Sequence, residues 1–382
     1  MFEAAMMVLA SVFAWSTLVV LMGLAAQLFR RGGERAEAAA NAEPRFAVVI
    51  CAHNEERVIE RPLKSILAAD YPADKIDIYV FADNCSDKTA AVAAAVEGVK
   101  VCEKNTPSAG KGDVLAWGLD AIDRSAYDAI AVFDADNEVD RGWFSQIGRC
   151  MAGGANIVTG HRMSSNAFAN LITGWYTIYW NLMNELSNRV RSNLGLSAML
   201  TGTGFAFRTS VLPAEGWRTN TFVEDLEFAL MRNLEGHRIF YAPDAVFFDE
   251  QPVSVRPMVR QLNRWATGGL QVLWRYWWRW LKTLVRHPSF RLLDALVVIS
   301  LGVTGTMMIV VNAVMLNWRF AVCLSAAAWL SAVLSTAFSR YSLRSLALPI
   351  LLFPVFTLVL SYTVAYSIVF PQRKWRPIAH GN

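Results

Sequence analysis

The stretch Ala129-Ile130-Ala131-Val132-Phe133-Asp134-Ala135-Asp136 runs an unbroken apolar segment straight into two carboxylates. A short apolar run that ends on polar residues is the pattern of a strand buried on both faces, with functional groups gathered at its carboxyl end. Phe46 to Cys51, Ile76 to Ala82 and Val99 to Cys102 show the same pattern upstream, and Val58 to Ala69, Ala90 to Glu97, Gly112 to Ile122 and Gly142 to Met151 carry helical periodicity between the runs. Strand alternating with helix predicts an α/β layer structure around a parallel sheet, with any ligand at the carboxyl ends of the strands. The unusual polar residues fall there: Asn54 and Glu55 after the first strand, Asp83 after the second, Asp134 and Asp136 after the fourth. Carboxylates collected on one rim repel one another unless a cation or a donor joins them.

Further along, Phe168 to Arg191 reads as a long helix bearing Trp175, Tyr176, Tyr179 and Trp180, and Leu200 to Arg208 as a strand carrying Thr201-Gly202-Thr203-Gly204. A helix over Glu224 to Leu234 and a strand through Phe240 and Phe247 follow. Ser254 to Arg286 then mixes Trp265, Trp274, Trp277, Trp278 and Trp280 with Arg256, Arg260, Arg264, Arg275 and Arg279. A helix of that make-up suits a membrane interface, with rings at headgroup level and guanidinium groups towards water or phosphate.

The 54% hydrophobic content and 14 Trp of the 382 residues point to a chain partly in lipid. Ala4 to Leu28 is nearly free of charge, and Leu292 to Phe370 is almost continuously apolar. At ~20 residues per crossing these predict one N-terminal span and a C-terminal cluster near 292–316, 320–338 and 345–370, the last interrupted by Pro349 and Pro354. Arg30, Arg31 and Arg35 follow the first apolar stretch, which favours a retained helix over a cleaved leader and places the body in the cytoplasm. Three C-terminal spans would put the C-terminus outside, whereas Arg373, Lys374 and Arg376 prefer the inside. The net charge of +4 without a long basic run does not suggest nucleic acid, and five cysteines without CxxC spacing indicate neither a disulfide framework nor a zinc site.

Asp134 and Asp136, at i and i+2 on a turn, suit a hard divalent cation, and Mn²⁺ or Mg²⁺ bound there would neutralise charge on a leaving diphosphate. Alone, such a pair is more often a solvated turn. Its company changes the weighting. Cys51-Ala52-His53-Asn54-Glu55-Glu56, Phe81-Ala82-Asp83-Asn84-Cys85-Ser86-Asp87, Gly110-Lys111-Gly112, Asp134-Ala135-Asp136, Thr201-Gly202-Thr203-Gly204, Glu224-Asp225 and Gln261-Leu262-Asn263-Arg264-Trp265 follow one another in order over about residues 45–270. This series resembles the inverting family 2 glycosyltransferases, in particular the membrane-bound branch of cellulose, chitin, hyaluronan and poly-N-acetylglucosamine synthases.

The resemblance implies a GT-A-like, Rossmann-type nucleotide-sugar domain and a role for each matching residue. Asp83 would hydrogen-bond the uracil ring, while Ala52 and Glu55 line the ribose side. Lys111 and Asp134 would approach the donor phosphates, with Asp134 and Asp136 holding the metal. Asp225 would be the general base, with Glu224 and Glu227 compensating the helix dipole. Gln261, Arg264 and Trp265 share one helix face at i, i+3, i+4; in the family Arg264 would pair with pyrophosphate and Trp265 stack on the acceptor. Thr203 and Gly204 would lie near the acceptor. Asp87 suits a capping role. His53, Asn84 and Cys85 depart from the commoner pattern, and Glu250 falls near where some relatives offer a metal ligand.

The expected organisation is an N-terminal transmembrane helix (1–29), a linker (30–44), a cytosolic GT-A glycosyltransferase domain (45–253), an interfacial amphipathic helix (254–286), two or three transmembrane segments (287–371) and a basic tail (372–382). The expected function is transfer from a UDP-sugar to a lipid, lipid-linked or saccharide acceptor at the cytoplasmic face of the inner membrane, in exopolysaccharide or glycolipid synthesis. Membrane lipids are expected partners. A processive polysaccharide synthase is the second reading, and it asks for a homo-oligomer because so few spans make a narrow channel. An inactive partner subunit that keeps the fold is the third.

Overall fold

The computed structural model describes residues 2–29 and 43–372. The linker arginines Arg30, Arg31 and Arg35 and the tail residues Arg373, Lys374 and Arg376 lie outside the described residues. The chain divides into two compact units: a helical one (Met1–Arg31, Asn166–Ser197, Gln251–Arg373) that begins with helix α1 (Phe2–Phe29), and an α/β one (Gly32–Ser165, Ala198–Glu250, Lys374–Asn382).

The α/β unit is built on strands β1 (Phe46–Ala52), β2 (Ile76–Asp83), β3 (Val99–Lys104), β4 (Ala129–Asp134), β5 (Glu138–Val139), β6 (Ile157–Ser164), β7 (Phe205–Arg208) and β8 (Ile239–Asp249). Helices α2 (Glu60–Leu67), α3 (Thr89–Ala94), α4 (Lys111–Ala121), α5 (Trp143–Ala152) and α8 (Glu224–Leu234) flank them. The apolar runs form strands because both of their faces are covered. Phe46, Val48, Ile50, Ala129, Ala131 and Phe133 pack with Leu63 and Ile66 of α2 and Phe144 and Ile147 of α5. The alternate residues Ala47, Val49, Ile130 and Val132 pack with Leu115 and Leu119 of α4 and Phe228 of α8. Each such fully buried Val, Ile or Phe contributes roughly 1.5–3 kcal/mol relative to exposure.

The strand order is β3-β2-β1-β4-β7-β6-β8-β5. β1 to β4 are parallel as expected, but β7 runs antiparallel to both β4 and β6, and β5 antiparallel to β8, so the sheet is mixed. The Leu200 to Arg208 segment is strand only from Phe205, because Gly202 and Gly204 take φ of 88° and 63°, outside strand geometry. β6 has no counterpart in the sequence reading; Gly160, His161 and Arg162 interrupt its apolar pattern. Chain order reverses between β1 and β4, and in open α/β sheets the carboxyl ends of the strands at such a reversal are where a ligand crevice forms.

The helical unit continues with α6 (Leu171–Asn181), a π-helical segment (Leu182–Arg189), α7 (Val190–Asn193), α9 (Val255–Arg286), α10 (Phe290–Val314), α11 (Trp318–Phe338), α12 (Ala347–Leu351) and α13 (Phe353–Val369). The expected helix at 168–191 starts at Leu171, because Asn170 accepts from the N–H groups of Ile172 and Thr173 as a cap. Leu9–Gln27, Phe290–Val314 and Trp318–Phe338 are long and apolar enough to cross a membrane. The expected segment 345–370 is two helices: α12 ends before Leu352, and Pro354 stands in the first turn of α13, where the missing N–H is harmless. Asp294 of α10 is buried and receives Arg191 (Nε–Oδ2 2.8 Å) and Trp15 (Nε1–Oδ1 3.1 Å), which joins α1, α7 and α10 at one carboxylate.

Candidate active site

The crevice between β1 and β4 has Cys51 and Asp134 as register partners. Lys111, the first residue of α4, reaches into it. Its Nζ donates to Asp134 Oδ1 at 2.5 Å and to the Gly202 carbonyl at 2.7 Å, and lies 3.9 Å from Glu224 Oε1. Burial opposes the charge on Lys111, but Asp134 and Glu224 outweigh it and hold the amine protonated, with its pKa above the usual lysine value. The glycines explain the approach: a Cβ on Gly112 would overlap the Thr219 hydroxyl, and the positive φ of Gly202 turns its carbonyl towards the amine. The Gly-Lys-Gly, Asp-Ala-Asp, Thr-Gly-Thr-Gly and Glu-Asp segments therefore meet at one ammonium group.

The Asp134–Asp136 turn is held from beneath. The Asp134 N–H donates to Asn137 Oδ1 (3.0 Å) and Thr203 Oγ1 (2.9 Å), and the Thr203 hydroxyl itself donates to Asn137 Oδ1. Asn137 Nδ2 donates to Asp249 Oδ1 (2.9 Å) and Asp136 Oδ1 (3.3 Å). Arg162 donates through Nε and Nη2 to Asp249 Oδ2, and through Nη1 to the Thr201 carbonyl. Burial pushes the Asp249 carboxyl up to about 6, with Asp136 and Asp134 adding to the rise and Arg162 opposing it. Asp249 thus lies close enough to the paired carboxylates to feel their charge. Glu250, just past the end of β8, lies 4.0 Å from Arg61.

Asp83, at the end of β2, is buried and accepts from Ser108 Oγ (2.5 Å) and Asn84 Nδ2 (2.7 Å). Ala52 ends β1, and the Glu55 N–H donates to Thr89 Oγ1 (2.7 Å). His53 Nδ1 is 2.6 Å from the Asp83 carbonyl, and Asn54, at φ 58°, accepts from the Ser86 N–H. Asp87 accepts from the N–H groups of Thr89 and Glu56 and so ties the β1 and β2 loops together. Asp225 is half-buried in the first turn of α8, beside two carboxylates with structural partners. Glu227 accepts from the N–H groups of Asn220 and Thr221 (2.7 and 2.8 Å), and Glu224 faces Lys111, beyond the helix-dipole role expected of it. Thr203 and Gly204 are buried: the Thr203 hydroxyl is used in the turn, and the Gly204 N–H donates to the Val132 carbonyl. The Thr203 hydroxyl thus ties the Thr-Gly-Thr-Gly segment to the Asp134 turn.

Gln261, Arg264 and Trp265 belong to α9 in the helical unit. Trp265 packs against Tyr176, Tyr179 and Trp180, stacked on Tyr179 at 6.1 Å between centroids. Gln261 Oε1 and Arg264 Nε are buried without a hydrogen-bond partner among the described residues.

A divalent cation fits the paired carboxylates. The negative field that Asp134 and Asp136 impose on Asp249 is one that a cation would relieve. Among the described residues no three His, Cys, Asp or Glu side chains form a metal cage. Asp134 and Asp136 would then supply part of the shell and a donor's phosphate oxygens and water the rest, the usual division for Mg²⁺. Asn137, Arg162, Asp249, Ser108 and Glu224 were not among the site residues read from sequence; a buried arginine opposite a buried aspartate leaves no local pattern.

The motif residues of the α/β unit thus converge at the carboxyl ends of β1, β2 and β4, and comparison with known proteins shows the family. The model described as "Glycosyltransferase like family 2" matches residues 44–268, and the chain belongs to the family 2 glycosyltransferases. It is similar to the probable glycosyltransferase YdaM of Bacillus subtilis (29% identity, 61% of this chain, 57% of that protein). It is also similar to the beta-monoglucosyldiacylglycerol synthase of Synechocystis (26%, 63% and 50%) and the poly-beta-1,6-N-acetyl-D-glucosamine synthase of Staphylococcus aureus (27%, 64% and 59%). The chain spans about half to three fifths of the length of these relatives. The mannosyltransferase PcManGT from Pyrobaculum calidifontis, solved with GDP-Man and Mn²⁺, shares the fold at a TM-score of 0.63 and 17% identity, over 96% of this chain and 99% of that one.

Proposed function

We propose that the chain transfers a sugar, with inversion, from a UDP-sugar to a lipid, lipid-linked or saccharide acceptor at the cytoplasmic face of a cell membrane. The observation that carries this reading is the Lys111 ammonium shared between Asp134 and the Gly202 carbonyl, a fixed positive charge where a diphosphate needs one. Asp83 would accept from the ring N–H of uracil, and Ala52 and Glu55 would line the ribose. Asp225 would take the proton of the acceptor hydroxyl as its oxygen bonds to the anomeric carbon and the carbon–diphosphate bond breaks on the opposite face, a contribution of about 10²–10⁴ in rate. Bound Mn²⁺ or Mg²⁺ would supply Lewis-acid stabilisation of the leaving diphosphate. Gln261, Arg264 and Trp265 are assigned to pyrophosphate and acceptor on their motif alone. The sugar nucleotide and Mn²⁺ of the mannosyltransferase support a donor and metal of these classes.

The relatives support two kinds of acceptor. A glucosyldiacylglycerol synthase supports single transfer to a lipid, and a poly-N-acetylglucosamine synthase supports chain growth, for which a homo-oligomer would supply the wider channel. The helices long enough to cross a membrane support the membrane location, and Arg30, Arg31 and Arg35 the cytoplasmic side. The test is product analysis after incubation of purified protein with radiolabelled UDP-sugars and membrane lipid. Label carried as one residue on an organic-extractable lipid supports the single-transfer reading. Label in an aqueous polymer replaces it with the processive one.

A further inference from the structure

The second half of α9 carries three faces. Val272, Tyr276, Trp280 and Thr283 turn towards the helical unit, with Val272 and Trp280 buried. Trp280 Nε1 donates to the Leu292 carbonyl at 3.0 Å, which pins this side to the first turn of α10. Trp274, Trp278, Leu281 and Val285, at i, i+4, i+7 and i+11, form an apolar stripe; Trp274 and Trp278 are 90% and 78% exposed. One position on, Arg275, Arg279, Lys282 and Arg286 repeat the same spacing as an exposed basic stripe. The whole of α9 contains no Asp or Glu.

We infer that this half of α9 is a binding surface for anionic phospholipid headgroups, with the Trp274–Val285 stripe in the acyl region and the Arg275–Arg286 stripe on the phosphates beside it. Two independent observations select that occupant. The charge is of one sign along a stripe that adjoins exposed indoles, which matches an anionic interface and no apolar partner. The Trp280 to Leu292 bond also holds the stripe at the head of α10, where a helix of candidate spanning length would leave a bilayer. The inference rests on α10 crossing a membrane and is independent of the transfer reaction.

The test uses the full chain in nanodiscs of phosphatidylcholine and phosphatidylglycerol, with bromine on the acyl chains of one lipid or the other. The signal is the tryptophan quenching that Trp274→Phe/Trp278→Phe removes. Brominated phosphatidylglycerol is expected to quench it about five-fold more effectively than brominated phosphatidylcholine, what roughly one basic side chain at an anionic surface supplies. Both 1 M salt, which cuts the screening length to ~3 Å, and Arg275→Gln/Lys282→Gln/Arg286→Gln should bring the ratio towards one. Equal quenching by the two lipids in the unaltered chain at low salt, or a ratio that survives both treatments, overturns the inference. Indoles shielded from both lipids overturn it in favour of a protein partner such as a second copy. The salt arm needs no variant, so a folding defect in the triple substitution does not decide the outcome.

Discussion

Lys111 Nζ stands 2.5 Å from Asp134 Oδ1, which joins the first residue of α4 to the last residue of β4. The Asp134 side chain is 36% exposed, so water can solvate it when its partner is removed. The buried Glu224 and the Gly202 carbonyl lose the same partner, so Lys111→Met should cost about 2–3 kcal/mol of stability, while transfer falls about 10²–10³-fold through loss of a charge aimed at the diphosphate. Thermal melting beside a steady-state assay checks this. A collapse in stability with activity per folded molecule unchanged would make Lys111 structural.

Asn137 is fully buried and serves Asp134, Thr203, Asp136 and Asp249 at once. Asn137→Ala leaves several of these polar groups unpaired, at a cost of about 2–3 kcal/mol. Because the turn carrying Asp134 and Asp136 then loses its support, Mn²⁺ affinity should fall about 10–100-fold, as read by electron paramagnetic resonance of free Mn²⁺. Unaltered affinity would show that the turn holds its shape alone.

Asp225 is the proposed proton acceptor, and its neighbours Glu224 and Glu227 face Lys111 and the 220–221 backbone. Asp225→Asn should reduce transfer by at least about 10²-fold and leave UDP affinity within several-fold, as read by calorimetry. Full activity in this variant removes Asp225 as the base.

Asp249 has a folded pKa of about 6, above its ordinary 3.8, with burial the first cause. A carboxyl raised in this way binds its proton more tightly folded than unfolded, so its contribution to stability is lost as pH rises from about 4 through 6. With metal removed by chelator, Asp249→Asn should flatten the pH dependence of melting between pH 4 and 7, by the equivalent of ~1–3 kcal/mol. Parallel profiles for the two proteins would contradict the shift.

Arg191 and Asp294 form a buried pair that also takes the Trp15 indole. Asp294→Ala strands the guanidinium and should destabilise the helical unit by about 3–5 kcal/mol. Unfolding in detergent, followed by protease cleavage near α1, measures this; an unchanged midpoint would mean the pair is solvated.

The parts of this arrangement visible in the sequence are those that local chemistry dictates. Apolar runs buried on both faces give β1 to β4, and the polar residues at their ends give Asp83, Asp134 and the crevice. Lys111 was legible as a motif residue, but its bond to the Gly202 carbonyl depends on a glycine backbone angle and joins segments far apart in sequence. Asp249 and Arg162 were hidden because their partnership is tertiary: β6 and β8 pair in parallel, and nothing near either residue announces the other. The split between α12 and α13 was signalled by Pro354, whereas the π-helical turn at Leu182–Arg189 has no local signature.

The central claim is that the β1–β4 crevice binds a sugar nucleotide for transfer. A screen of UDP-sugars with Mn²⁺ or Mg²⁺ and membrane acceptors, read as nucleoside diphosphate release, tests it most directly. The account predicts release from at least one UDP-sugar, abolished by chelator and by Asp225→Asn. Folded protein that releases no nucleotide from any sugar nucleotide under these conditions would contradict it.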